Sequence, residues 1–272
     1  MTVLVANGNG LGDAIVLSAV AHELRGQRPG ERLVVLCQYP EFYVNNPDVD
    51  DAMVGSGVET RSFPALDDMA ATGGRHQVAW MCEQLGLKPP LEVRQRFDFG
   101  INERSWSWMK WSSLVAIDVQ PGPWAWQTKA WTGGRWRSLV SALTEWLDLT
   151  VVQIGGGEAV PSAMDCRNLP LRQSADILAA CGLHVGPISG PMHLANAVGT
   201  MSVVIAGGRE VEAVVGYPAD VWMTDAPAEG CSPCWGNTCA YPKVDGTASC
   251  LAAISVDAVV DVVRASLGRV DK

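Results

Sequence analysis

Residues 184–199 read HVGPISGPMHLANAVG: an apolar run, a turn built from Pro187, Ser189, Gly190 and Pro191, and an Ala-rich segment of helical composition. A strand that feeds a helix through a short polar turn is half of a βαβ unit, the building block of parallel sheets covered by helices. The turn itself has two readings. Ser189 or Gly190 can cap the helix and Pro191 suits its first turn. The backbone N–H groups left free at such a start can equally attract a phosphate.

The same pattern recurs outward from this stretch. TVLVA (2–6) leads through the glycine-rich NGNGLGD into an apolar stripe at Val16, Val20 and Leu24, with Leu17 and Ala21 beside it, and LVVLC (33–37) follows. A weaker strand is expected at 58–63 and a helix over 76–86. LVAIDV (114–119) restarts the series. The spacing predicts a helix from about Arg135 with Trp136, Leu139, Val140, Leu143, Trp146 and Leu147 on one face. TVVQIGGG (150–157), a short helix capped by Ser174 and ended by Gly182, and MSVVIAGG (201–208) complete the second half. A last helix runs from Val256 to about Leu267. The reading is α/β, with two Rossmann-like domains at 1–112 and 113–255.

Composition narrows the function. The chain has 272 residues and a formal net charge of -9, which argues against phosphate-backbone binding as its main role. Arginines, lysines and tryptophans interleave over 94–137, a pattern of packing plus solvated charge, or of a stacking platform. No apolar run reaches the roughly 20 residues that span a bilayer, so no membrane span is expected. The start MTVLVANGNG lacks a secretory signal, and the expected location is cytoplasmic.

Three features carry chemistry. Gly8, Gly10 and Gly12 approach a dinucleotide fingerprint, but G-x-G-x-x-G needs glycine at position 13, which is Asp13. An acid there answers the helix dipole, worth about 0.3–1 kcal/mol, or, facing a cleft, can act as a general base. Lys129, before the second amphipathic helix, is either solvated or placed to balance charge on a departing diphosphate. Cys231, Cys234, Cys239 and Cys250 form C-x2-C-x4-C-x10-C, whose first pair has metal-knuckle spacing. They read as a structural Zn or Fe site, or as free or paired thiols. Cys37, Cys82, Cys166 and Cys181 sit in apolar surroundings.

GLGDAIVLSAVAHELR (10–25), TKAWTGGRWRSLVSAL (128–143), ISGPMHLANAVGTMSVVIAGG (188–208), CSPCWGNTCAYP (231–242) and SCLAAISVDAVVDVV (249–263) together resemble the ADP-heptose:lipopolysaccharide heptosyltransferases of glycosyltransferase family 9. The resemblance implies a GT-B fold, two Rossmann-like domains facing across a cleft, with helix 256–268 packing back on the first. It implies an inverting transfer of a heptose or related sugar from a nucleotide-diphosphate donor resembling ADP-heptose, without a catalytic cofactor. Asp13 would deprotonate the acceptor hydroxyl and Lys129 would contact the donor phosphates. Gly12, Ser189, Gly190, Pro191, Met192 and His193 would bind the donor. The acceptor is a glycan, a protein or a modified nucleobase. One position departs from the pattern: the family usually has an acid before the Ser-Gly pair, and this chain has Ile188. That departure keeps a second reading, a non-catalytic nucleotide-sugar-binding or assembly protein.

Overall fold

The structure, a computed structural model, describes residues 1–6, 10–55, 69–93, 95, 97, 111–121, 126–225, 231–241 and 247–270. The expected strand at 58–63 lies outside them, as do residues 94, 96, 98–110 and 122–125 of the tryptophan-rich stretch. The first half contains β1 (Thr2–Val5), α1 (Leu11–Gln27), β2 (Leu33–Leu36), β3 (Asp51–Met53) and α2 (Gln77–Gln84). β1, β2 and β3 form a parallel sheet in that order.

The second half contains β4 (Trp111–Asp118), α3 (Trp126–Lys129), α4 (Gly133–Leu147), β5 (Thr150–Ile154), β6 (Met164–Asp165), α5 (Leu171–Ala180), β7 (Cys181–Gly186), α6 (Gly190–Ala197), β8 (Ser202–Ile205), α7 (Glu212–Val215), β9 (Val221–Met223), α8 (Ser249–Ala253) and α9 (Val256–Val270). Its parallel sheet has the order β6-β5-β4-β7-β8-β9. The strands are near-continuous Val/Ile/Leu runs because helices cover both faces. From β4 the chain winds outward through β5 and β6, then returns to the other side of β4 as β7. The connections leaving β4 and β7 therefore diverge, opening a crevice at their carboxyl ends, where open α/β sheets bind ligands.

α1 is buried beyond its predicted stripe. Ala14 through Ala21 and Leu24 are all buried, because the helix lies between its own sheet and α6 of the other half. Tyr43 fastens it by donating to the Ala14 carbonyl at 2.5 Å.

Three expectations are corrected. Helix 256–268, expected to pack back on the first half, is placed among the described residues on the second: α9 packs on α4, β7 and β8, where Val259, Val260 and Val263 are buried. Its apolar stripe joins the one α4 offers, in a single buried cluster with β7 and β8. Ser174 caps nothing, since α5 already begins at Leu171 after Pro170, and Gly182 lies within β7. Proline at the N-cap position sets the earlier start, and its carbonyl accepts the Ser174 N–H at 3.0 Å. Trp146 is 64 % exposed, outside the face that buries Trp136, Leu139, Val140 and Leu143.

Candidate active site

The crevice is built where two helix starts meet. α6 begins immediately after β7, with Ser189 extended as its cap. The Ser189 hydroxyl accepts from the Met192 N–H (3.4 Å) and donates to the Asp118 carboxylate at the end of β4 (2.6 Å). Pro191 has no N–H, and the His193 N–H donates to the Ser189 carbonyl at 3.3 Å. Among the described residues, the N–H groups of Ser189 and Gly190 take no acceptor. They are what the helix start offers an anion.

α1 abuts this start from the other half. A Cβ on Gly190 would come within 2.9 Å of Leu11, and one on Gly12 within 2.8 Å of the His193 ring. Glycine at these two positions is what lets the helices approach. Asp13, in the first turn of α1, accepts from the Gly10 N–H at 3.3 Å and lies close enough to Lys129 to favour its charge.

Lys129, the last residue of α3, reaches the same crevice. Its ammonium donates to Glu210 at 2.7 Å and to the Ile188 carbonyl at 3.4 Å. Burial lowers its pKa from the ordinary lysine value, and the Glu210 carboxylate opposes that shift. The sequence-expected residues Gly12, Asp13, Lys129, Ser189, Gly190 and His193 are thus brought together. Met192 is not at the ligand face: it is fully buried in an apolar cluster with Ile188, Val204 and Tyr217. Ile188 turns its side chain into that cluster and presents only its carbonyl to the crevice.

His193 is a neutral imidazole, held down to about 3 by burial, then by the Lys129 charge and His76. Its Nδ1 meets the Tyr217 hydroxyl, which also takes the Gln95 amide N–H from the first half. His76, from the first half as well, contacts the Gly216 carbonyl at 3.1 Å. These bonds tie the two halves together behind the crevice.

Two acids escaped the sequence reading. Asp118 is fully buried, and burial pushes its carboxyl up to about 7, against the pull of the Ser189 hydroxyl and the Gln120 N–H. Its signal was a lone aspartate closing an apolar strand. Glu210 is 4 % exposed and follows β8 in a Gly-Gly-Arg-Glu turn, the counterpart of the glycine turn after β5. Beside Asp118, past the ends of β4 and β5, a cavity of about 380 Å³ is lined by Gln120, Trp131, Trp136, Gly157 and Glu158, apolar rings with a few polar groups.

The four cysteines gather near the crevice. The other three raise the Cys231 thiol after the larger effect of burial, and Cys250 is raised as well. Yet among the described residues no three or more of His, Cys, Asp and Glu are arranged to hold a metal ion. The cysteines as placed form no group of ligands for the expected Zn or Fe among the described residues. No described helix is long and apolar enough to cross a membrane.

Residues 119–245 match the model of glycosyltransferase family 9 (heptosyltransferase). No curated protein matches the sequence. Among solved structures, the chain is similar to a glycosyltransferase family 9 protein of Veillonella parvula DSM 2008 (15 % identity, TM-score 0.72, covering 98 % of this chain and 97 % of that one). It is similar to the E. coli ADP-heptose LPS heptosyltransferase II (13 %, TM-score 0.64, all of both chains). It is also similar to the dodecameric iron-containing heptosyltransferase TibC of E. coli, solved in complex with ADP-D-β-D-heptose (18 %, TM-score 0.70, all of this chain and 77 % of that one). The shared fold is GT-B, as the sequence implied.

Proposed function

With residues 119–245 a glycosyltransferase family 9 domain on a GT-B fold, we propose that this glycosyltransferase moves a heptose or related sugar from an ADP-linked donor to an acceptor hydroxyl, with inversion. The observation that supports this most is the convergence of Lys129, the free N–H groups at Ser189 and Gly190, and Asp13 at the switch point between β4 and β7. Two cationic elements and a carboxylate within one crevice suit a diphosphate leaving group opposite a base. The division of labour follows: residues 1–112 on the acceptor side, 113–255 holding the donor.

Asp13 takes the proton of the acceptor hydroxyl as its oxygen attacks the anomeric carbon. The bond from that carbon to the diphosphate oxygen breaks, and its electron pair leaves with the nucleotide. Lys129 and the Ser189 and Gly190 N–H groups receive the charge that develops there. Gly12 keeps the base-bearing helix within reach. Neutral His193 adds a polar edge without a second cation. The cavity lined by Trp131 and Glu158 is of a size and polarity to take the nucleoside. The acceptor class is a glycan, a protein or a modified nucleobase, and the proposed location is the cytoplasm.

The test is a panel of nucleotide sugars incubated with the protein and lipid-core, peptide and hydroxylated-nucleobase acceptors. Release of ADP coupled to sugar transfer is the expected result. Tight donor binding with no turnover on any acceptor would leave the assembly role instead.

A further inference from the structure

We propose that Glu210 is a positioning residue for Lys129: its carboxylate holds the ammonium at the crevice, and Arg209 fastens that carboxylate to the 231–241 loop. The inference rests on the reading of Lys129 as a donor-phosphate contact.

The geometry is a closed ring. Lys129 donates to Glu210 Oε1 at 2.7 Å, and the Arg209 guanidinium pairs with the same oxygen. Arg209 also donates to the Gly236 carbonyl at 3.1 Å and to the Asn237 side chain at 2.8 Å. The Gly236 carbonyl in turn accepts from the hydroxyl of Thr128 at 2.9 Å, one residue before the lysine. The lysine backbone and its ammonium are thus anchored to the same loop by separate routes. The loop is itself pinned to the turn after β8, by Cys234 N–H to the Gly208 carbonyl (3.0 Å) and Trp235 N–H to the Arg209 carbonyl (3.1 Å).

Charge makes the ring necessary. A buried lysine loses its proton readily, because the ammonium has left water. The groups facing it are Glu210 and Asp13, which favour the charge, and Arg209, which opposes it, with neutral His193 beside them. Ile188 supplies only a carbonyl dipole. Glu210 is therefore the nearest full counter-charge, and it also neutralises Arg209. Glu210 Oε2 meets no partner among the described residues, so the whole task falls on Oε1. Glutamine keeps an acceptor at that place while removing the charge.

The experiment follows Lys129 by NMR of 13Cε-labelled lysine through a pH titration, in wild-type protein and in Glu210→Gln, with Lys129→Met to assign the signal. ADP affinity is measured by calorimetry at pH 6 and pH 9 on the same proteins. The expected result is a Lys129 midpoint at least one pH unit lower in Glu210→Gln. ADP should then bind the variant at pH 6 as tightly as wild type, and at least tenfold more weakly at pH 9. An unmoved midpoint overturns the proposal, as does an equal loss of ADP affinity at both pH values, which would mark general damage to the site. A lowered midpoint in a protein whose wild type binds no ADP, or whose Lys129→Met variant binds it normally, overturns the donor reading alone.

Discussion

The starts of α1 and α6 follow the same local pattern, strand then glycine turn then helix, yet they are completed oppositely. α1 answers its own positive end with a first-turn carboxylate, Asp13, which reaches back to the Gly10 N–H. α6 has no acid in its first turn; it is closed by a neutral hydroxyl and a proline, and its acid, Asp118, comes from the neighbouring strand and stands behind the cap. A helix start that carries its own carboxylate keeps that group ionised, the state a general base must begin from. One capped by a neutral group keeps its dipole for an incoming anion.

The largest test of this contrast is Asp13→Asn. It should lower kcat by about 10²–10⁴ while leaving ADP affinity within a few-fold of wild type, measured by steady-state kinetics and calorimetry. A variant of near-normal kcat would remove the contrast. The second concerns Asp118. Its folded-state pKa, about 7, stands above the ordinary value of 3.8, so the folded protein binds this proton more readily than the unfolded chain. The stability it contributes is full below about pH 4 and is lost as pH rises to about 7. Urea unfolding midpoints at pH 4, 5.5 and 7 should show that slope in wild type and a flatter one in Asp118→Asn.

A smaller effect is expected from Gly190→Ala. The new methyl meets Leu11, which belongs to the opposed helix, at 2.9 Å, so it should cost about 1–3 kcal/mol of stability and weaken the α1–α6 contact. Thermal unfolding and ADP titration would both register it. Ser189→Ala is the mildest: losing the cap costs about 1 kcal/mol in chemical denaturation. If ADP affinity also holds, the backbone N–H groups rather than the hydroxyl serve the anion.

Most of the fold was legible because the buried strands are short apolar runs, with glycine turns after β1, β5, β7 and β8, and because the stripes of α1 and α4 repeat at helical spacing. The packing of α9 was not legible: its valine stripe says that one face is buried but not against which half. The start of α5 was misplaced because a serine signalled a cap, where the proline four residues earlier had already set the boundary. In the site, Ser189 to His193 and Lys129 stood out because glycine, proline and an isolated cation punctuate apolar sequence. Asp118 and Glu210 did not, since each matters through a distant partner; Asp118 and Ser189 are 71 residues apart. Ile188, which sequence marked as a missing acid in the crevice, belongs to the core.

The proline and the self-capping serine leave α6 with two adjacent N–H groups at its tip. Two neighbouring donors span one phosphoryl group, and the Lys129 ammonium, 3.4 Å from the Ile188 carbonyl, stands beside them for the next. Under the proposed function these two N–H groups and the Lys129 ammonium receive adjacent phosphoryl groups, so a nucleoside diphosphate is expected to bind more tightly than the matching monophosphate.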